Sequence, residues 1–230
     1  MEVSERIDQL CEYFQNQLIA IGQLSLPGSD DEHLSHYKKT LLLTLIDCMA
    51  GIRFKGEIKD NKKRFTRFVK EYGGWSDGIL ISTPFMVSTL KEKELEGPLL
   101  EKVSNRLNSF DPDAGNSITL GGIDFPPEEL KPLVTCEEEK ETIDYAQHFT
   151  LLYRYRNSLV HEFRKPGNGM EVFSDGSPCY HSYIGDDSYY LVYPMELFEE
   201  ITKSAINGIE TYFISLQEDP YDRVESTFRW

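Results

Sequence analysis

The sequence predicts a mainly α protein, an up-down helical bundle that carries a small three-strand insertion at about 170–193. Three observations predict it. Long stretches repeat their apolar residues every three to four positions, as one face of a helix requires. Pro and Gly concentrate between those stretches. One short segment late in the chain is rich in aromatic and β-branched residues and has turn residues at its bends. With 230 residues, 40% of them hydrophobic, the chain can bury a sizeable core. The expected organisation is one helical domain over 1–218, then a tail over 219–230.

The elements follow in order. Ile7, Leu10, Cys11, Phe14, Leu18 and Ile21 set a first helix from Val3 to Ile21, stopped by Pro27-Gly28. Leu34, Tyr37, Leu41, Leu45, Cys48 and Ile52 set a second over Asp31 to Ile52. Leu42, Leu43 and Met49 widen its stripe, which implies burial on more than one side. A third, Asp60 to Tyr72, carries Phe65, Phe68 and Val69 on one face and ends at Gly73-Gly74. Pro84 is suited to the first turn of a helix running to Leu90, and Leu95 to Leu107 predicts another. Phe110 to Pro132, rich in Pro, Gly and Asp, reads as a long surface loop. A central helix is expected from an N-cap at Thr135, through the acidic turn Glu137-Glu138-Glu139, to Lys165-Pro166-Gly167. Three strands follow at Met170–Ser174, Cys179–Ile184 and Tyr189–Tyr193, and Pro194 opens a last helix to Leu216.

Charge narrows the function classes. A net charge of −15 counts against a general nucleic-acid binder, because most of the surface repels phosphate. The charge is uneven, however. Between Arg53 and Lys70 eight Lys/Arg stand against Glu57 and Asp60, so this stretch carries +6 and the rest −21. The run is either a solvated helix face or a local patch that holds one anionic strand. The four cysteines (11, 48, 136, 179) form no C-x-x-C pair, which predicts neither a zinc site nor a disulfide framework. No apolar run approaches the roughly 18 residues of a membrane span, and the amphipathic start is unlike a secretory signal. We expect a cytoplasmic protein with no membrane contact and no metal or other cofactor.

The segment Arg154-Tyr155-Arg156-Asn157-Ser158-Leu159-Val160-His161 concentrates chemistry late in the central helix. An imidazole exchanges a proton near pH 7, and a guanidinium holds the charge that builds on phosphate oxygens. Together they suit phosphodiester cleavage without a metal. At about 100° per residue, Asn157 and His161 are about 40° apart around the helix and Arg156 and His161 about 140°. Arg156 falls in the apolar stripe, between Tyr153 and Val160, so it packs against a partner or faces a subunit interface.

Arg156-Asn157-x-x-x-His161, within a helical setting, resembles the R-x4-6-H signature of the HEPN superfamily, in which a polar residue often follows the Arg. Arg64-Phe65-x-Arg67-Phe68-Val69, with Gly74-Trp75 after it, is similar to other HEPN-type sequences. The resemblance covers roughly 1–165 and the last helix. It implies a HEPN-type bundle and a metal-independent endoribonuclease whose two copies meet along the motif helix. On that resemblance His161 is the general base or acid, Arg156 holds the scissile phosphate and Asn157 supports one of them. Arg154, Arg164, Lys165, Lys62, Lys63 and Arg67 would contact the RNA. The implied setting is a toxin or anti-phage defence system, with an antitoxin or nucleotidyltransferase as possible partner. The alternative is a non-catalytic HEPN module that binds a nucleotide, RNA or a protein. Some HEPN toxins carry a modifiable Tyr two residues after the His; here that position is Phe163, which has no hydroxyl to accept a nucleotide.

Among the other polar residues, Asp47 inside an apolar stretch is either a satisfied contact or a carboxylate that orients an Arg or His. Arg156 could instead pair with Asp47 or Asp144. His148 reads as a packing residue with no acid beside it, and His181, in the expected sheet, could line a cleft.

Overall fold

The computed structural model describes residues 2–28, 31–110, 117–162, 164, 176–183 and 188–224, with the backbone alone at 31 and 32. The protein is mainly helical with one small three-stranded antiparallel sheet. It divides into two compact units.

The first unit comprises 1–75, 159–162 and 195–230. It is built from α1 (Val3–Gln23), α2 (Asp31–Arg53), α3 (Asn61–Tyr72), α10 (Met195–Leu216) and the short α11 (Tyr221–Val224). Helix α10 packs on α1, α2 and α3, which makes it the centre of this unit. The periodic residues explain why. Phe198, Ile201, Ala205, Ile206, Ile209 and Phe213 are buried along α10, as are Ile7, Leu10, Cys11 and Phe14 of α1 and Phe65, Phe68 and Val69 of α3. Helix α2 buries Leu42, Leu43, Ile46, Met49 and Ala50, but Tyr37 and Leu41 of the expected stripe are exposed. The buried face is therefore rotated towards the residues expected only to widen it. Asp60 caps α3 by accepting from Lys63 N at 2.7 Å. Gly74, with φ +65°, supplies the left-handed residue after α3, and a Cβ there would lie 2.7 Å from Ser204 Oγ.

The second unit comprises 76–158 and 163–194. Its helices are α4 (Thr83–Glu92), α5 (Pro98–Leu107), α6 (Leu120–Ile123), α7 (Pro127–Leu130), α8 (Glu137–Ala146) and most of α9 (His148–Glu162). Its core gathers Ile81, Met86, Val87, Leu90, Leu99, Val103, Phe125, Leu130, Ile143 and Ala146. Ser82 caps α4, with Pro84 in the first turn as expected.

Three expectations are corrected here. The central helix is two helices, α8 and α9, broken at Gln147, whose φ −61° and ψ 138° are extended. The cause is a competing backbone partner. Ile81 bridges both Gln147 and Phe125, Ser82 N donates to Ala146 O at 3.0 Å, and His148 N donates to Leu80 O at 3.1 Å. The groups that would continue the helix are already satisfied elsewhere. Secondly, the N-cap position belongs to Cys136, while Glu139, buried, reaches back to accept from Thr135 N and Thr135 Oγ1. Thirdly, the sheet is not confined to an insertion at 170–193. Its strands are β1 (Ser117–Thr119), β2 (Cys179–His181) and β3 (Tyr190–Val192), in the order β1-β2-β3. Ser117, His181 and Tyr190 share one register row. The segment expected to be a long loop thus supplies an edge strand, because β2 offers it unpaired backbone groups. The expected strand at 170–174, the turn at 185–187, and residues 163, 165–167 and 225–230 lie outside the described residues.

A Cβ on Gly78 would lie 2.2 Å from Phe149 Cε1, inside the second unit. Gly78→Ala should therefore destabilise the protein by about 1–3 kcal/mol through overpacking. A lowered urea midpoint at unchanged m-value checks this.

Candidate functional site

Helix α9 carries the motif residues. Arg156 and Asn157 are half-buried in the part of α9 that belongs to the second unit. His161 is exposed on the last turn, in the part that belongs to the first. Arg156 Nη1 donates to Asn157 Oδ1 at 3.0 Å. This bond matters because the two Cα–Cβ directions diverge by about 100° on a helix. It holds the Arg156 guanidinium against the Asn157 amide. Arg154 is exposed, with its guanidinium 4.9 Å over the Phe85 ring, and Arg164 is exposed beyond the helix end. Lys165 lies outside the described residues.

Much of the basic run is engaged within the first unit, Arg53, Lys55, Arg64 and Arg67 among it. Arg53 is buried: Nε donates to Tyr72 Oη at 2.7 Å, Nη1 pairs with Glu57, and the guanidinium stacks 3.8 Å from the Tyr212 ring. Lys55 donates to the carbonyls of Asp222 and Arg223. Arg64 meets Asp47 at 3.7 Å, and Arg67 meets Glu71 at 2.6 Å. Asp47 therefore serves an arginine of α3. Lys59, Lys63 and Lys70 are exposed, and Lys62 is half-buried. Arg67 is both half-exposed and paired, so any phosphate must compete with Glu71 for it.

One constellation is absent from the sequence reading. His148, the first residue of α9, is fully buried, and its Nε2 lies 2.6 Å from Asp124 Oδ2. Its Nδ1 lies 2.7 Å from Tyr193 Oη. Tyr180 Oη donates to Ser82 Oγ at 2.6 Å or Asp124 Oδ2 at 3.0 Å. Asp124 Oδ1 accepts from Thr83 N at 2.8 Å. The pattern closes when Nε2 carries a proton to the carboxylate and Nδ1 accepts from Tyr193. Burial, then the charge of Asp124, pushes both tyrosine hydroxyls well above their ordinary range. All five side chains are buried, so the network positions segments and meets no substrate. It ties the α4 cap, the loop before α7, β2 and the residue after β3 to the start of α9. No spacing signalled it, since Asp124 and His148 are 24 residues apart; the one local sign was a carboxylate flanked by Ile123 and Phe125.

His181 Nδ1 lies 3.1 Å from Ser117 Oγ and its ring meets the exposed Tyr183 edge-on. Among the described residues no group of His, Cys, Asp or Glu is arranged to hold a metal ion, and no helix is long and apolar enough to cross a membrane. Compared with known proteins, the chain matches no family model, no curated protein and no solved structure.

His148→Ala should cost about 3–5 kcal/mol, because it strands Asp124 in a dry site. Tyr180→Phe should cost about 1–3 kcal/mol by removing one donor from that carboxylate. Urea unfolding at pH 7 measures both. Because the folded state holds the Tyr180 and Tyr193 protons more tightly, the unfolded chain releases them first. Stability should fall as pH rises past about 10, and Tyr180→Phe should flatten that slope.

Proposed function

We propose that the chain is a metal-independent endoribonuclease of the HEPN type, acting on single-stranded RNA as a homodimer in a toxin or anti-phage defence system. The observation that carries this reading is the Arg156–Asn157 hydrogen bond on α9, with His161 exposed on the same helix. It gives a guanidinium bonded to an amide, and an exposed imidazole one turn on along the same helix. The helical composition and the resemblance at Arg156-Asn157-x-x-x-His161 support the same reading.

The chemistry follows from those groups. His161 removes the proton from a ribose 2′-hydroxyl, and O2′ attacks the adjacent phosphorus. Arg156 neutralises the charge on the non-bridging oxygens as the P–O5′ bond lengthens. The departing O5′ takes a proton, from the His161 of a second copy where two motif helices face one cleft. The products are a 2′,3′-cyclic phosphate and a 5′-hydroxyl. A two-fold axis along α9 supplies both imidazoles and both guanidiniums.

A second reading has its own support. The net charge of −15 and the internal engagement of Arg53, Lys55, Arg64 and Arg67 leave few free cations for a long strand. That favours a non-catalytic HEPN module that holds a short ligand and works through a partner, such as an antitoxin or nucleotidyltransferase.

Incubation with single-stranded RNA in EDTA separates the two. The nuclease reading expects cleavage with cyclic-phosphate ends, lowered about 10²–10⁴-fold in His161→Ala at an unchanged melting temperature. Arg156→Ala should lower kcat by a similar factor. Full activity in His161→Ala removes the nuclease reading; RNA binding without cleavage by the wild type selects the second.

A further inference from the structure

Residues 217–224 fold back onto the first unit. Gln217 turns the chain with φ +51°, a left-handed conformation disfavoured in a non-glycine residue. Beyond it the segment is fastened mainly by charge. Asp219 pairs with Arg6 at 2.6 Å, and the Arg6 guanidinium lies 4.8 Å over the Tyr221 ring. Lys55 Nζ donates to the carbonyl oxygens of Asp222 and Arg223, two adjacent residues. Arg223 donates to Glu218, to Tyr212 Oη, to Glu57 and to the carbonyl of Arg53. Pro220 is the one buried residue of the segment.

Charge complementarity explains the seating. The segment carries Glu218, Asp219 and Asp222 against Arg223, and it sits on Arg6 and Lys55. Lys55 holds two neighbouring oxygens, as an ammonium holds the oxygens of a phosphodiester. The side chains of the Arg6–Asp219 and Arg223–Glu218 pairs are 15–33% exposed, so each pair keeps an edge that solvent ions and other anions can reach. A polyanion competes with the segment's own oxygens for the same two cations, Arg6 and Lys55.

We propose that residues 217–224 are an anionic strap seated on a phosphate-binding corner formed by Arg6 and Lys55, and that a single-stranded RNA backbone displaces it. The strap restrains RNA binding until the ligand competes it away. The proposal rests on RNA being the ligand, as in the reading above, and not on cleavage.

The test uses full-length protein in the His161→Ala background, where binding is measured apart from cleavage. Asp219→Asn with Arg223→Ala removes one carboxylate and one guanidinium, so the net charge is unchanged. Hydrogen exchange at 217–224 reads release of the strap, and fluorescence anisotropy with an oligouridylate reads binding. Release should bring about tenfold tighter binding. Two freed cations should steepen the salt dependence by roughly 1.4, at about 0.7 per phosphate for a single strand. Adding Lys55→Ala should cancel the gain. The proposal is overturned if exchange at 217–224 does not speed up, if it does and affinity stays the same, or if the gain survives Lys55→Ala.

Discussion

The second unit depends on a carboxylate and an imidazole sealed from water. Asp124 and His148 meet at 2.6 Å with both side chains fully buried. Neither can be placed there alone, since an unpaired polar group in a dry core costs several kcal/mol. Their mutual bond, together with Thr83 N and the hydroxyls of Tyr180 and Tyr193, satisfies them. Any arrangement of the surrounding segments that separated these groups would leave them stranded. The network therefore selects one packing among the many that an apolar core alone would tolerate.

Its position gives it a bearing on the candidate site. His148 opens α9 directly after the break at Gln147, so the same backbone exchange with residues 80–82 ends α8 and begins α9. The Tyr155 ring, two turns on, meets Tyr193 at 5.7 Å. The direction and rotation of α9 within its unit are thus set at its first turn and again at Tyr155. Arg156 is the next residue. Its hydrogen bond to Asn157 works on a helix whose phase has already been decided.

Charge is treated differently in the first unit. The basic run looks on paper like a patch of +6. In the folded unit Arg53 stacks among aromatic rings, Arg64 and Arg67 meet carboxylates, and Lys55 meets the C-terminal segment. The acidic excess elsewhere is what makes these pairings available. An acidic protein with a basic segment has carboxylates and carbonyls at hand to engage that segment internally, which leaves Lys59, Lys63 and Lys70 as its exposed lysines.

The helices were legible in the sequence because an amphipathic stripe is a local property: Phe198 to Phe213 and Ile7 to Phe14 are buried as their spacing requires. The starts of α3 and α4 were legible to within a residue or two for the same reason, at Asp60 and Pro84, whereas the cap expected at Thr135 falls to Cys136. The motif on α9 could be singled out from neighbouring residues alone. What the tertiary structure decided were the non-local terms. The break at Gln147 arises from a backbone partner about 66 residues away, a separation no helical window spans. The edge strand at 117–119 exists because β2 had an open side. The acid beside His148 comes from a loop 24 residues earlier. Periodicity reports which side of a segment faces inward; it carries no information about which polar group will be waiting there.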